Sequence, residues 1–453
     1  VQAMVWDNDA LHMCEGLINL DELPAQFTEQ FKKDYIGAQK LRDGTPVVST
    51  KDEAIKLLLT RREIPDDVKE LLTLLSEFQE ADKELGTFYL KEEFNDKGEV
   101  TKRGGMLQYL TDENYIHHQL NSCSTATTRL SSTRPNLQNT PSSRSSNVKG
   151  MFESRWGNDG KIVSADYSNI EVIVLAALSG DENLKDFVLS GKSMHTFNLA
   201  NWLDMSYEEA NAIVKDETHP RHEELNDIRD NLMKPFEFSA NYGASPAGVA
   251  YASGGTLEQA QAFLDYKART FPKVQAYHEH VAEQVEATTK QFREVNDAGN
   301  FRLYGVGYMQ MPCGTRFTYR QHESTVYTGQ GPVQIMKYRD TQMKNYQTQG
   351  TAALVIQVAN GRWIRHLIEN DFYGGLVKPI NTVHDENLSD MHDSVLHQAC
   401  ADKLRIMEGA GEYMREFGYE WDLPFPVGIS AGINWKDQHD LDHFKEVTNE
   451  SEH

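Results

Sequence analysis

The sequence predicts an α+β protein built from two or three subdomains. Three observations lead there. A chain of 453 residues is too long for one compact core. Apolar residues recur at roughly helical spacing over long stretches, the first being Val68, Leu71, Leu72, Leu75, Phe78, Leu85 and Phe88. Among the helical stretches lie short apolar, β-prone segments, Ile162–Asp166 and Pro379–Ser389, that carry carboxylates at their ends or turn. With 39% hydrophobic and 25% charged residues the chain is neither disordered nor membrane-like, and no run of about 18 apolar residues supplies a transmembrane helix. No basic segment followed by an apolar one opens the chain, so a secretory signal is not expected. Cys14, Cys123, Cys313 and Cys400 form no CxxC pair, which argues against a zinc site or disulfide framework and fits a reducing compartment. Val1, not Met, begins the chain, which reads as a fragment or processed product.

The elements follow in order. Thr50-Lys51-Asp52-Glu53 is a capping-box pattern opening a short helix through Leu59, and Pro65 starts a longer helix through Phe88. Lys91–Gly105, charged and glycine-bearing, reads as an exposed tip between antiparallel elements, with Met106–Leu110 and Tyr115–Leu120 as short strands. Leu130–Ser146 is a long polar loop, a type that is often functional. Ile162–Asp166 is a strand, and Ile170–Leu178 an apolar helix at once after it. From His195 to about Gln310 the pattern is mostly helical, clearest over Leu257–Thr270 and Lys273–Gln291 on either side of Pro272. Met343–Ile368 is a long helix, Pro379–Ser389 two short strands around a polar turn, and Ala401–Phe417 a last helix. The final dozen polar residues are expected to fray.

The formal charge is 45 − 68 = −23, which argues against general nucleic-acid binding. A local exception runs from Arg129 to Lys161, where Arg129, Arg134, Arg144, Lys149, Arg155 and Lys161 face only Glu153 and Asp159. Such a stripe suits a groove for a polyanion, or else a solvated loop. Asp166 ends an otherwise apolar strand and needs a cation or donor partner. Val383-His384-Asp385-Glu386 puts a second carboxylate pair at a strand edge. Two acidic strand ends from distant parts of a chain can share two hard cations through oxygen ligands, as in-line phosphoryl transfer requires. Ser168 and Glu171 also fit a capping box, so Glu171 has a purely structural alternative. Lys234, Phe238 and Tyr242 lie four apart along one helical stripe able to grip phosphate, base and sugar, or forming an ordinary mixed face, and Gly243 sits where a glycine C-cap belongs.

Together these segments resemble the A, B and C motifs of family A DNA polymerases, the bacterial polymerase I and related phage enzymes. Asp166–Glu171 is similar to that family's DYSQIE segment, Lys234-x3-Phe238-x3-Tyr242-Gly243 to its fingers helix, and His384-Asp385-Glu386 to its HDE signature. Thr127–Ser132 and Pro135–Asn139 resemble the TGRLSS…PNLQN loop, Asn345-x3-Gln349-Gly350-Thr351 the NAPMQGTA helix, and Gly432-Ile433-Asn434-Trp435 the GxNW terminus. The matches keep family order from about Ser49 to Trp435.

The resemblance implies a right-hand fold with an antiparallel-sheet palm. The thumb and adjoining palm edge would span 1–125, the palm 126–194 and 336–453, and helical fingers 195–335. It implies DNA-templated DNA synthesis on a primer–template with dNTPs. Asp166 and Asp385 would be catalytic and would ligate two Mg2+ ions, Mn2+ being able to substitute, with the Tyr167 carbonyl completing a site. His195, Arg229 and Lys234 would hold the triphosphate, Phe238 would stack near the sugar and base, Tyr242 would close against the template position, and Glu171 would exclude a 2′-hydroxyl. Arg129, Asn136, Asn139, Asn345, Gln349, His384 and Glu386 would contact DNA. A processivity factor or other replisome protein is a further implied partner, and no membrane is. His195-Thr196 and Arg229-Asp230-Asn231 resemble phage members, which would place the protein in a host bacterial cytoplasm. The chain begins at the thumb, so 3′–5′ exonuclease activity is not expected of it. A single-subunit RNA polymerase, which Glu171 disfavours, and a non-catalytic replisome scaffold are the alternatives. Thr128, Asn169, Ile173, Thr341 and Leu354 depart from the family's residues.

One mismatch carries a structural expectation. The family's phosphate-binding arginine precedes the lysine by four residues, whereas Arg229 precedes Lys234 by five. Five residues advance an α-helix by about 500°, some 140° off the shared face. With Pro235 next, a π-bulge or kink between Arg229 and Phe238 would absorb the extra residue and return Arg229 to the face of Lys234 and Tyr242. The alternative is a helix starting afresh at Pro235, with Arg229 turned away.

Overall fold

The structure, a computed structural model, describes residues 64–441 apart from 142–145, 242, 254, 296–300 and 329–330, together with residues 55 and 59. The capping box at Thr50–Glu53, Arg144, Tyr242 and the final dozen residues lie outside the described set. The chain divides into two compact units, Val1–His117 and His118–His453. In the first, helix α1 (Asp66–Phe88) follows Pro65 and buries Val68 and Leu72 against Ile55 and Ile64. The charged tip is itself a hairpin of β1 (Lys91–Phe94) and β2 (Val100–Gly104). Met106–Tyr109 is a 3-10 turn, not the expected strand. Gly105 precedes it at φ 88°, where a Cβ would lie 2.0 Å from the Tyr89 carbonyl oxygen, so the chain turns too tightly to extend.

The second unit is built on a five-stranded antiparallel sheet. The expected Tyr115–Leu120 strand is replaced by β3 (Gln119–Asn121), which pairs with β4 (Ser131–Thr133) inside the polar loop. Strand β5 (Gly160–Tyr167) is apolar because it is covered on both sides, and helices α2 (Ile170–Ser179), α3 (Glu182–Leu189), α4 (Met194–Trp202), α5 (Tyr207–Lys215) and α6 (His222–Ile228) follow. A π-helical turn, Arg229–Met233, joins α6 to α7 (Lys234–Asn241), ahead of α8 (Pro246–Ser253), α9 (Leu257–Thr270) and α10 (Pro272–Ala287). The helical pattern does not reach Gln310. Strands β6 (Lys290–Val295), β7 (Phe301–Gln310) and β8 (Arg316–Arg320) form an antiparallel sheet, and β9 (His322–Thr328) and β10 (Gly331–Lys337) a hairpin. Alternation of buried and exposed residues along β8 (Phe317 and Tyr319 in, Arg316 and Thr318 out) is the period-two signal of a one-sided strand.

Helix α11 (Asp340–Glu369) runs through the main core, burying Ala352, Val355, Ala359 and Trp363, and packs with α2 under the sheet. Strands β11 (Val377–Val383) and β12 (Glu386–His392) form the expected strand pair, longer at both ends. Helix α12 (Leu396–Glu408) begins earlier than expected and breaks at Gly409, after which a short α-helical turn (Ala410–Tyr413) and a 3-10 turn (Met414–Phe417) carry the helical path to Phe417. Strands β13 (Val427–Gly432) and β14 (Gln438–Asp440) complete the sheet in the order β11-β12-β5-β13-β14. Strand β5 is therefore central, with Asp166 paired to Glu386 on one side and Gly428 on the other.

Candidate active site

Strand register brings the two acidic segments together. Asp166 sits opposite Glu386, and Asp385 occupies the turn joining β11 to β12, where His384 takes φ 55°. The Asp385 carbonyl oxygen accepts the Tyr167 backbone N–H at 3.4 Å. Asp166 reaches solvent at the sheet edge, yet the surrounding protein strips enough water from its carboxyl to push the pKa up to about 7, helped by the charges of Asp385 and Glu386 and opposed by Lys149. Burial raises Asp385 as well, against the nearby charges of Arg129 and His384. Carboxyls pushed up by burial, with further carboxylate charge beside them, are short of positive charge. Among the described residues no group of three or more His, Cys, Asp or Glu converges as a metal cage. Two carboxylates with a backbone carbonyl fit Mg2+, which keeps several waters and takes further oxygens from phosphate.

Glu386 is tied down by its own partners. Its carboxylate accepts the Ser164 hydroxyl and the Trp435 indole N–H at 3.1 Å, so the Trp of the GxNW segment acts by fixing the HDE carboxylate. Glu171 projects from the first turn of α2, but Ser168 makes no capping box. The N-cap is Asn169, at φ 56° and without a side-chain cap bond, and the Ser168 backbone N–H donates to the Pro426 carbonyl. Glu171 instead pairs with Arg129 at 2.5 Å, both side chains about three-quarters covered. Burial raises the Glu171 carboxyl and Arg129 opposes the rise.

The basic stripe dissolves as a continuous groove. Arg155 is taken by the buried Asp390 of β12 at 2.9 Å, and Lys161 of β5 by Asp393 just after β12 at 3.0 Å. Lys149 lies 4.4 Å over the Trp435 ring and acts on the charge of Asp166, a position that only its place in the stripe hinted at. In the polar loop Asn136 and Asn139 are exposed, while Gln138 is buried and donates to the Thr382 carbonyl of β11 at 3.0 Å. Thr128 adopts φ 58°, and Gln357 of α11 donates to its carbonyl at 2.7 Å. Asn345 and Gln349 are half-buried one turn apart on α11.

A second cluster forms on α4, the π turn and α7. The Lys234 N–H donates to the Arg229 carbonyl five residues back, so the extra residue is absorbed as expected. His195 lies 5.8 Å from the Phe238 ring. Its pKa is lowered by burial, with Glu237 opposing and the charges of Arg229 and Lys234 adding to the drop, so the imidazole and the two cations share one neighbourhood. Arg229 Nη1 donates to Asp230 at 2.6 Å, while its Nε and the Nδ1 of His195 are buried without partners. Lys234 and Phe238 are exposed on α7. Beneath them Glu237, 3% exposed, receives Lys267 of α9 at 2.7 Å, Asn198 of α4 at 2.7 Å and Asn241 at 3.0 Å. Burial works against that charge, but Lys267 and the amides outweigh it and hold the carboxyl below its ordinary range. Nothing local in the sequence signals this pair, whose members lie thirty residues apart.

Paired carboxylates at one edge of an antiparallel sheet, with cationic and aromatic side chains gathered on neighbouring helices, are an arrangement suited to phosphoryl transfer. The chain belongs to DNA polymerase family A, whose model matches residues 24–437. It is 28% identical over 327 residues to the thermostable DNA polymerase I of Thermus filiformis, covering 71% of this chain and 32% of that one. It is 27% identical over 331 residues to DNA polymerase I of Bacillus subtilis, covering 72% and 32%. The chain thus spans about a third of the length of these relatives. Its fold is similar to the polymerase domain of Pol1 from M. smegmatis, solved in complex with DNA primer-template and dNTP, with a TM-score of 0.60, 20% identity, and coverage of 96% of this chain and 65% of that one. No described helix is long and apolar enough to cross a membrane.

Proposed function

We propose that this chain carries out DNA-templated DNA synthesis, extending a primer 3′ end with deoxynucleoside triphosphates and releasing pyrophosphate. One observation carries the reading: sheet register sets Asp166 beside the hairpin that bears Asp385, where each carboxylate raises the need for positive charge. Asp166, Asp385 and the Tyr167 carbonyl would hold two Mg2+ ions, whose chemistry is to acidify the primer hydroxyl and offset phosphate charge. Lys234, Arg229 and a neutral His195 would hold the triphosphate, the exposed Phe238 would stack near sugar and base, and Tyr242 would close against the template position. Glu171 would occupy the space of a ribose 2′-hydroxyl. Arg129, Asn136, Asn139, Asn345, Gln349 and His384 would track the primer–template duplex through acceptors nearly alike in every base pair. On this assignment the sheet of β5 and β11–β14 is the palm, α4–α10 the helical core of the fingers, and the first unit part of the thumb.

Primer extension by Asp166→Asn and Asp385→Asn tests it. Each should fall about a thousandfold or more while primer–template binding survives, since the lost carboxylate supports charge only in the reacting complex. Near-normal turnover in either variant would overturn the assignment.

A further inference from the structure

The β6–β8 sheet carries a face that the polymerase site does not use. Cross-strand register puts Lys290, Phe292 and Glu294 of β6, Arg302, Tyr304 and Tyr308 of β7, and Arg316 and Arg320 of β8 on one side. The opposite side is covered where it meets α10 and α11: a Cβ on Gly307 would lie 2.2 Å from the Val285 carbonyl oxygen, and Phe317 and Tyr319 are buried, while Val295, Phe301 and Leu303 toward the far end of β6 and β7 stay exposed.

On the open side the rings and cations are layered. Phe292, 45% exposed, stacks on Tyr304 with centroids 5.9 Å apart and planes 25° apart. Arg320 lies 3.9 Å over the Tyr304 ring, and Arg316 4.7 Å over Tyr308. Glu294 is the one carboxylate of this face and binds both Arg302 and Arg320, with Glu323 of β9 reaching Arg302 from outside it. Four cations against one carboxylate stand out on a chain of net charge −23. Rings stacked with guanidinium groups on an open antiparallel sheet offer π-faces for bases and charges for a phosphate backbone.

We propose that this face binds single-stranded DNA, the unpaired template ahead of the primer end. The inference rests on the polymerase reading. The sheet is fixed to the helix assigned to duplex contact. Gln347 of α11 donates to the Tyr319 hydroxyl at 2.6 Å, Tyr346 stacks on Tyr319 at 5.4 Å, and the Phe317 ring fills the space beside Gly350. These residues interleave with Asn345 and Gln349, so the platform extends from the same stretch of α11. Charge complementarity favours DNA over an acidic protein partner, because a strand supplies a flat ring for each exposed ring as well as the anions.

The test compares Phe292→Ala/Tyr304→Ala and Arg316→Ala/Arg320→Ala with the unchanged chain. Fluorescence anisotropy with oligo-dT of about 20 nucleotides should show binding about tenfold or more weaker in the aromatic variant. The arginine variant should reduce the magnitude of the salt slope by roughly 1.4, about 0.7 per phosphate contact on single strands. Extension on a template with a long 5′ overhang should weaken in KM, while extension on a one-nucleotide overhang and the melting temperature stay as they are. Unchanged oligo-dT binding in both variants, or equal losses on both templates, overturns the proposal. Failure of the unchanged chain to extend either template sinks the polymerase reading instead, and the oligo-dT comparison still decides the binding face.

Discussion

Replacing Lys267 by methionine leaves the carboxylate of Glu237 buried with only Asn198 and Asn241 as partners. The ion pair is short, 2.7 Å, and its two side chains are 17% and 3% exposed. Removing one member of a buried pair costs about 3–5 kcal/mol, because the survivor keeps its desolvation penalty and loses its counter-charge. A cavity of about 380 Å3 lined by both residues lets water approach the pair, which puts the expected loss near the lower end, about 3 kcal/mol at neutral pH. The pH dependence gives a sharper signature. In the unaltered chain the Glu237 carboxyl is held low, so its contribution is present above the unfolded pKa of about 4.3 and is lost as pH falls through the folded value. Without Lys267, burial dominates and the carboxyl rises above its unfolded value. That variant should therefore lose stability as pH rises, with a penalty larger at pH 8 than at pH 5. Urea unfolding followed by tryptophan fluorescence at the two pH values reads this out, since Trp202 packs edge-on against Phe236 in the same cluster. A penalty under about 1 kcal/mol, or one equal at both pH values, would refute the reasoning.

Three further outcomes are expected. Glu171→Ala should raise ribonucleotide incorporation relative to deoxynucleotide incorporation in steady-state assays; since Glu171 makes no capping box, a pure loss of helix stability with selectivity unchanged would contradict the gate. Thr128→Gly should raise stability by about 0.5–1 kcal/mol in thermal unfolding, because relief of a β-branched residue at φ 58° exceeds the entropy cost of glycine. Lys403, fully buried and donating to the Asn387 carbonyl at 2.8 Å and Ser389 at 3.0 Å, has its pKa pushed down to about 7 by burial. The unfolded chain then binds that proton between pH 7 and about 10.4, so stability should climb with pH across this window, and Lys403→Met should flatten the climb.

Strand β5 was legible because it is covered on both sides and reads as an apolar run ending in a carboxylate, and the β11–β12 pair because a polar, acidic turn separates its strands, whereas β13 and β14 carried no such mark. Strands β6–β8 were not legible for the opposite reason. Lys-Gln-Phe-Arg-Glu-Val alternates rings with charges on an open face, and a polar, charge-bearing strand after two long helices reads as more helix. Register, not composition, decided the fate of the basic stripe. Arg155 meets Asp390 only because β12 folds back beside β5, more than two hundred residues later in the chain.

The π turn shows why one feature between these extremes could be read in advance. Its cause is local: one residue too many between Arg229 and Lys234, and a proline immediately after. An α-helix would need the Pro235 nitrogen to donate to the carbonyl four residues back, and proline has no N–H to give. That position already lacks a bond, so widening the turn just before it sacrifices little. Lys234 instead donates five residues back, to Arg229. The gain is chemical. Arg229 shares the neighbourhood of His195 with Lys234, and its Nε, like the Nδ1 of His195, is buried without a protein partner. Buried donors left unpaired are costly, and such groups persist where a ligand completes them. The bulge and the unpaired nitrogens thus support the proposed triphosphate seat between α4 and α7.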